Sequence, residues 1–328
     1  MYPHSYDELN DSVLVIDMTR DAYAAASFLD QRILTPQTRG QWLAADPVDK
    51  ALEVVDRSDC HFIFHIGHVG STLLSRLIGA LPGVLALREP AALRTLAQLK
   101  AEISSHESVI APATFERRLT SFVKLWSRTY APTERSIVKA TSFASELAGD
   151  LMARNGGRPS IALTVAPETY IAGILGGEGS RQELQVMAPS RLKRLHARLG
   201  RGCWRLYELS DGERAAMSWT CEMLALRGAD AGRLRWIDFE AFLRAPSENL
   251  AGALRHIGVP ATSAEIEALT SGPLMQRYSK APEHAYSPQL RAQLLEQSRR
   301  EEGDEIRRGL AWLDAAAKAH PSIATAIA

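Results

Sequence analysis

Cysteine is scarce in this sequence of 328 residues, and it contains no long uninterrupted apolar run. The three cysteines, Cys60, Cys203 and Cys221, are odd in number and form no CxxC pair, so they predict reduced thiols and no structural zinc site. The histidines show no HExxH spacing, and we expect no metal. The most apolar long window, residues 161–177, includes a proline and a glutamate, which argues against a membrane span. The first residues do not have the pattern of a signal peptide, so we expect a cytoplasmic protein.

An excess of charge of either sign is also missing. Lys and Arg total 38, and Asp and Glu total 38, so the formal net charge is zero. Nucleic-acid-binding domains are usually basic, and the six tryptophans here are scattered rather than clustered for base stacking, so we expect no nucleic-acid partner. A hydrophobic content of 46% with 23% charged residues is typical of a globular protein with a sizeable core.

Short apolar segments alternate with helical patterns through the middle of the chain. Five segments favour β-strands: residues 61–66, 84–89, 136–140, 160–166 and 233–239. Because the first four are each followed by a helical pattern, they predict an α/β fold with a parallel sheet flanked by helices. We divide the chain into a lead-in packed on the core, residues 1–56, a core, residues 57–260, and a mostly helical C-terminal extension of the same domain, residues 261–328.

The most informative segment is the loop that follows the first of these strands. Gly67 and Gly70 permit a tight backbone turn, and Ser71 and Thr72 lie where a helix would begin. Free N–H groups at a helix start, together with two hydroxyls, favour an anion site. The alternative is that Ser71 or Thr72 simply caps the helix. The GxxxxGK[ST] spacing of a Walker A loop is missing, which argues against an ATP- or GTP-hydrolysing P-loop enzyme.

This loop resembles the phosphosulfate-binding loop of the P-loop sulfotransferases, in which the pattern is P-[KR]-S-G-T-T-[WL]. The matching positions are Gly67, His68, Val69, Gly70, Ser71, Thr72 and Leu73. Three further segments resemble family motifs in the same order, namely residues 86–90 (ALREP), 138–143 (VKATSF) and 236–260. The resemblance implies a fold with P-loop nucleoside triphosphate hydrolase-like architecture. It also implies transfer of a sulfuryl group from 3′-phosphoadenosine 5′-phosphosulfate (PAPS) to a hydroxyl or amine.

The resemblance assigns roles to three charged or titratable residues. His68 occupies the position of the loop Lys or Arg that contacts the leaving group in the family, and Lys139 would stabilise the same leaving oxygen. Glu89 matches the carboxylate that serves as the base in some branches of the family, while Thr141 stands where other branches have a histidine. The alternatives are a loop histidine without a task, a solvated lysine, and a salt bridge from Glu89 to Arg88 or Arg94. His65, just before the loop, reads as a core histidine.

The ligands for the 3′-phosphate depart from the family pattern. Val165 and Gly173 stand where the family commonly has an arginine and a serine. Arg191 and Arg194, in a basic segment with helical spacing, are candidate substitutes, as is Lys280 in the sequence RYSK, residues 277–280. The alternatives are a solvated basic helix face and an ordinary surface loop.

The sequence therefore predicts a PAPS-dependent sulfotransferase whose partners are an adenine nucleotide and an unidentified small-molecule or glycan acceptor. Two other interpretations stay open at this stage. One is a degenerate, non-catalytic family member that binds a nucleotide or another anion, and the other is a kinase-like phosphotransferase. The sequence is also compatible with a homodimer.

Overall fold

Two β-sheets are present in the described part of the chain, which comprises residues 1–200, 202–281 and 285–327 of the computed structural model. The smaller sheet is antiparallel and is formed by β1 (Tyr2–Asp7), β2 (Ser12–Ile16) and β3 (Gly40–Ala44), paired in that order. Helix α1 (Arg20–Ala25) lies between its last two strands, and helix α2 (Ala45–Glu53) follows it.

The larger sheet is parallel and lies at the centre of the core. Its strands are β4 (His61–His65), β5 (Val84–Arg88), β6 (Arg135–Lys139), β7 (Ser160–Thr164) and β8 (Leu234–Asp238). They lie in the order β5-β6-β4-β7-β8, and every neighbouring pair is parallel. All residues of β4 and β5 are buried, which explains why these strands read as continuous apolar runs. The predicted α/β fold with a parallel sheet is confirmed.

Helices surround this sheet and form most of the C-terminal region, as predicted. They are α3 (Ser71–Gly79), α4 (Ala91–Glu102), α5 (Pro112–Ser127), α6 (Ala148–Arg154), α7 (Pro167–Leu175), α8 (Glu178–Leu199), α9 (Asp211–Ala229), α10 (Phe239–Arg244), α11 (Pro246–Ile257), α12 (Ser263–Ser271), α13 (Pro288–Glu301), α14 (Gly303–Ala319) and α15 (Pro321–Ile327). No helix among the described residues is both long enough and apolar enough to cross a bilayer.

The strand order creates a switch point beside β4. The chain builds β5 and β6 on one side of β4 and then crosses over to build β7 and β8 on the other side. Ligands of open α/β sheets bind outside the carboxyl ends of the strands at such a point. The loop that follows β4 is therefore placed where a ligand is expected.

A buried arginine joins the N-terminal sheet to the core. The guanidinium of Arg118, on α5, is 1% exposed and donates to the carboxylates of Asp11, Asp46 and Asp49. Those carboxylates, with the Asp11 hydrogen bond first, raise the pKa of Arg118 further. Because a buried guanidinium needs its counter-charges, this cluster fixes α2 and the β1–β2 turn against α5.

Two glycines allow a close contact between the C-terminal extension and the core. Helix α14 packs along α9. A Cβ atom added at Gly309 would lie 2.5 Å from the Gly212 carbonyl oxygen, and one added at Gly212 would lie 1.9 Å from the Glu305 carbonyl oxygen. Only residues without a side chain permit this approach of two backbones, which fixes α14 against α9.

Candidate functional site

The loop between β4 and α3 has an unusual backbone. Gly67, His68 and Gly70 have positive φ angles of 95°, 56° and 68°. For the glycines this conformation is ordinary, but for His68 it costs about 1–3 kcal/mol and persists only where the surroundings enforce it. The result is a tight turn that directs the start of α3 back toward the carboxyl ends of the sheet. The predicted strand, loop and helix are all present.

The helix start is not capped by a side chain. Gly70 is the residue at the N-cap position of α3, no side chain accepts a hydrogen bond there, and Ser71 and Thr72 are already inside the helix. The first N–H groups of a helix have no intrahelical acceptor. The hydroxyl oxygen of Thr72 is also buried without a hydrogen-bond partner among the described residues. These groups together form a set of donors of the kind that binds an anion.

A cavity of about 460 Å³ opens at this helix start. It is lined by the loop residues His68 to Leu73, by α7 and α13, and by the segment around residues 277–286. Its basic lining residues are His65, His68, Arg277, Lys280 and Arg291. None of the described residues that line it is acidic, so the cavity is electrostatically suited to an anion.

His68, the loop residue at the family's Lys or Arg position, contacts helix α8. Its Nε2 lies 3.5 Å from a carboxylate oxygen of Glu183, and its Nδ1 lies 3.4 Å from the hydroxyl of Ser180. The contact with His68 lowers the pKa of Glu183 to about 2, with smaller contributions from Arg191 and Lys280. Glu183 is therefore ionised at neutral pH, and its carboxylate lies within reach of the His68 ring.

Lys139 and Glu89, the two other proposed catalytic residues, form an ion pair with each other. Lys139 ends β6, Glu89 follows β5, and the ammonium of Lys139 donates to the Glu89 carboxylate. Lys139 is fully buried, and burial lowers its pKa while Glu89 opposes that change. Glu89 has a φ of 52°, and its N–H donates to the Lys139 carbonyl oxygen at 2.7 Å. Neither residue lines the cavity.

The alternative partner of Glu89, Arg88, is used elsewhere. Its guanidinium is buried and donates to the carbonyl oxygens of Tyr23, Ala24 and Ala26 at the end of α1. Burial lowers the pKa of Arg88 to about 10. Arg88 therefore holds α1 against β5, and the carboxylate of Glu89 pairs with Lys139 instead.

The two candidate arginines on α8 are placed away from the cavity. Arg191 and Arg194 are buried, and both donate to Glu222 of α9, at 2.9 Å and 2.7 Å. The Glu222 carboxylate is fully buried and also accepts from the hydroxyl of Ser145. These arginines are thus neither a solvated face nor in contact with the loop. Glu222 is about 30 residues away in sequence, so no local pattern signals the pairing.

Lys280 is brought to the cavity by a segment that we call the strap, residues 277–281 and 285–287. Arg277 and Lys280 both line the cavity, and Arg277 forms an antiparallel bridge with Ala285. The strap is tied to α3 because Arg76 donates to the Ser279 carbonyl oxygen at 2.9 Å. Lys280, the candidate substitute ligand in this segment, therefore lies in the cavity into which the loop opens.

Val165 and Gly173, which stand where the family has an arginine and a serine, lie in different surroundings. Val165 is buried in the core, and its carbonyl oxygen accepts a hydrogen bond from the indole of Trp219 at 3.0 Å. Gly173 lines the cavity, and a Cβ atom there would contact only Leu295 at 3.9 Å. Val165 is therefore shielded from solvent, whereas Gly173 borders the cavity.

Phe239, at the start of α10, is a site residue that the sequence interpretation missed. Its ring lines the cavity and lies so close to Gly70 that a Cβ atom there would be 1.9 Å from Cε2. The guanidinium of Arg291, on α13, lies 5.4 Å from the centre of the same ring. No pattern around residue 239 signals this contact, because it depends on the return of β8 to the sheet edge.

Comparisons with known proteins add similarities of fold. No family model and no curated protein matches the chain. Among solved structures, the sulfotransferase domain of the curacin biosynthetic pathway aligns over 70% of this chain and 83% of its own, with 15% identity and a TM-score of 0.37. The sulfotransferase domain of the Synechococcus PCC 7002 olefin synthase aligns over 74% and 94%, with 15% identity and a TM-score of 0.36. Mouse sulfotransferase SULT7A1, solved with PAP, aligns over 84% and 96%, with 10% identity and a TM-score of 0.37. These similarities concern the fold.

Proposed function

We propose that this protein is a sulfotransferase that moves a sulfuryl group from PAPS to a hydroxyl or amine of a small-molecule or glycan acceptor. The observation that carries the proposal is the uncapped start of α3, where the buried hydroxyl of Thr72 has no partner among the described residues and lines a cavity without acidic groups. The loop sequence supports the same assignment, since it resembles the sulfotransferase loop and has no Walker lysine.

The donor set fits a phosphate group. The N–H groups at the start of α3 and the hydroxyls of Ser71 and Thr72 would hold the 5′-phosphosulfate. A hydrogen bond to a charged group contributes about 1.5–3 kcal/mol, so three or four of them give firm binding. His68 adds a ring nitrogen that lines the same cavity. Lys280 and Arg277 supply further cations in the same cavity, where they would hold the 3′-phosphate.

The chemistry asks three things of these residues. PAPS supplies the activated sulfuryl group, and the protein must stabilise the leaving oxygen, accept the acceptor proton and hold the partners in line. His68 and Lys139 are the proposed cations for the leaving oxygen, and Glu89 is the proposed base. Because Glu89 is paired with Lys139, its carboxylate becomes available to an acceptor only when that ion pair loosens.

The proposal is tested by calorimetric titration with 3′-phosphoadenosine 5′-phosphate (PAP), beside ADP and beside ATP with Mg²⁺. We expect PAP to bind with micromolar affinity. ADP lacks the 3′-phosphate and should bind much more weakly. Thr72→Val should weaken PAP binding about tenfold, because it removes one donor to a charged group. Ser75→Ala is the matched control, since Ser75 has a second buried, unpartnered hydroxyl on α3 but does not line the cavity. Equal affinity for PAP and ADP, or equal effects of the two substitutions, would contradict the proposal.

Catalysis is tested separately from binding. PAP release from PAPS is measured with a panel of phenols, alcohols and amines, and Glu89→Gln should keep PAP binding while it abolishes turnover. Unchanged turnover in that variant would remove Glu89 from the mechanism.

A non-catalytic anion-binding role is the second candidate. The closed ion pair between Lys139 and Glu89 favours it, because both groups are neutralised by each other and neither lines the cavity. PAP binding without consumption of PAPS for any acceptor in the panel would select this role.

A further inference from the structure

His65, the last residue of β4, is held by hydrogen bonds at both ring nitrogens. It is 5% exposed and lies at the base of the cavity. Its Nε2 is 2.8 Å from the carbonyl oxygen of Ala140, which can only accept, so the proton is on Nε2. Its Nδ1 is then an acceptor, and it receives the N–H of Gly67 at 3.0 Å. The two partners together specify one neutral tautomer.

We propose that His65 is a positioning residue, which in this tautomer fixes the phosphate loop by accepting the Gly67 N–H and so determines which loop N–H groups face the anion. The inference rests on the proposed function, because it concerns the same anion site. With the Gly67 N–H turned toward β4, the donors available to a ligand are those around the start of α3. Gly67 therefore contributes to the shape of the site, and the residues that follow it bind the anion.

The same imidazole joins the loop to the end of β6, which lies beside β4 in the sheet. Ala140 follows Lys139, the proposed cation for the leaving oxygen, whose ammonium is paired with Glu89. His65 thus links the residue that starts the loop with the strand end that carries Lys139. The loop needs such a tie, because His68 and Gly67 have positive φ angles that persist only where neighbouring contacts hold them.

The surroundings of His65 keep it neutral. Burial is the largest cause that lowers its pKa well below the ordinary value, followed by Lys139 of β6, Lys280 of the strap and His68 of the loop. The side chains that act on it from these elements are all basic. A proton on Nδ1 would also point at the Gly67 N–H and place two donors against each other.

Three substitutions separate the two hydrogen bonds. In His65→Asn the side-chain oxygen can take the place of Nδ1 and accept the Gly67 N–H. His65→Gln can reach Ala140 but leaves the Gly67 N–H without its acceptor, and His65→Leu removes both bonds. Affinity for PAP is measured by calorimetry well below the unfolding temperature of each variant. We expect the Leu and Gln variants to bind about tenfold more weakly than the wild type and the Asn variant to stay within about threefold.

A purely structural role would lower the stability of all three variants but would not produce this ranking of their affinities for PAP. If the Leu variant does not fold, the ranking of Asn above Gln decides, and equal affinities or the reverse ranking would overturn the inference. Imidazole ¹⁵N spectra of the wild type provide an independent reading. A protonated Nε2 with an unprotonated Nδ1 at neutral pH supports the inference. The tautomer protonated at Nδ1, or the imidazolium, overturns it. If the wild type binds no PAP while the tautomer is the expected one, the proposed function fails rather than the geometry of His65.

Discussion

Gly70 is the loop residue with the least room for a side chain. Its φ is 68°, and an added Cβ would meet the Phe239 ring at 1.9 Å. Gly70→Ala combines a left-handed alanine, which costs about 1–2 kcal/mol, with a clash of the kind that costs about 1–3 kcal/mol. We expect a loss of roughly 2–5 kcal/mol in the free energy of unfolding, measured by urea denaturation.

Gly83→Ala is the matched control for this substitution. Its φ is 73°, and nothing lies within 4 Å of an added Cβ, so only the backbone cost of about 1–2 kcal/mol applies. The difference between the two variants measures the contact with Phe239. If both variants lose the same stability, that contact does not constrain the loop.

The ion pair between Lys139 and Glu89 makes a second prediction for single residues. Glu89→Gln leaves a buried ammonium without its counter-charge and should destabilise the protein by about 3 kcal/mol. Lys139→Met introduced into that variant removes the unpaired charge and should recover most of the loss. The double-mutant cycle, read from urea unfolding, should therefore be strongly non-additive. Additive losses would mean that the two groups are not coupled in the folded protein.

At the scale of elements, a side chain of α3 holds the strap at the cavity. Arg76 of α3 donates to the Ser279 carbonyl oxygen at 2.9 Å and to the hydroxyl of Ser27 at 2.7 Å, so one side chain links the strap, α3 and the N-terminal region. Arg76→Met should release the strap without unfolding the core. We expect faster amide hydrogen exchange in residues 277–281 and a several-fold weaker affinity for PAP, because Lys280 would lose its fixed position.

Arg117→Met serves as the control for the strap. Arg117 lies on α5, is exposed and donates to Thr114 of its own helix at 3.4 Å. It should change neither the exchange of the strap nor the affinity for PAP. Unaltered exchange in the Arg76 variant would show that other contacts hold the strap in place.

At the scale of the whole molecule, we propose that residues 1–56 and 261–328 fold together with residues 57–260. The Arg118 cluster crosses the first boundary, and the contact of Gly309 with Gly212 crosses the second. The Arg118 guanidinium is buried, and the backbones at Gly309 and Gly212 are in close contact. Neither contact can loosen independently of the core. The stability of any one element is then a property of the whole chain.

Two buried histidines contribute to the pH dependence of this stability. Burial is the main cause that lowers the pKa of His61 and, more strongly, of His65, so the folded protein keeps both neutral. Below about pH 6.5 the unfolded chain binds protons that the folded chain does not. The free energy of unfolding should therefore decrease as the pH falls below that value, by up to about 1.4 kcal/mol per pH unit for each histidine, and these groups should have no effect above it.

Urea denaturation between pH 7.5 and 5.5 checks this expectation. His65→Asn should show a shallower decrease than the wild type, because the contribution of His61 remains and that of His65 is removed. Parallel curves for the two proteins would mean that His65 takes up its proton in the folded state as readily as in the unfolded state.

The sequence by itself determined the features that depend on neighbours in the chain. Apolar runs are needed to fill a sheet covered on both faces, so β4, β5, β6 and β7 were predictable from them. The turn that Gly67 and Gly70 allow before α3 was predictable from the glycines. The absence of a Walker lysine and the hydroxyls of Ser71 and Thr72 also come from the sequence alone. These patterns are local, because apolar runs, turn residues and helix starts are read within a window of about 11–18 residues.

Only the tertiary structure decided which charges meet. Glu89 pairs with Lys139 rather than with Arg88, and Arg191 and Arg194 turn to Glu222 rather than to the cavity. His65, read from the sequence as a core residue, holds the Gly67 N–H and the Ala140 carbonyl. A buried charge or ring nitrogen must find its partner, but the partner can come from any strand or helix that the fold brings within about 3 Å. That choice depends on the order of the strands and the packing of the helices, which residue types and spacing do not specify.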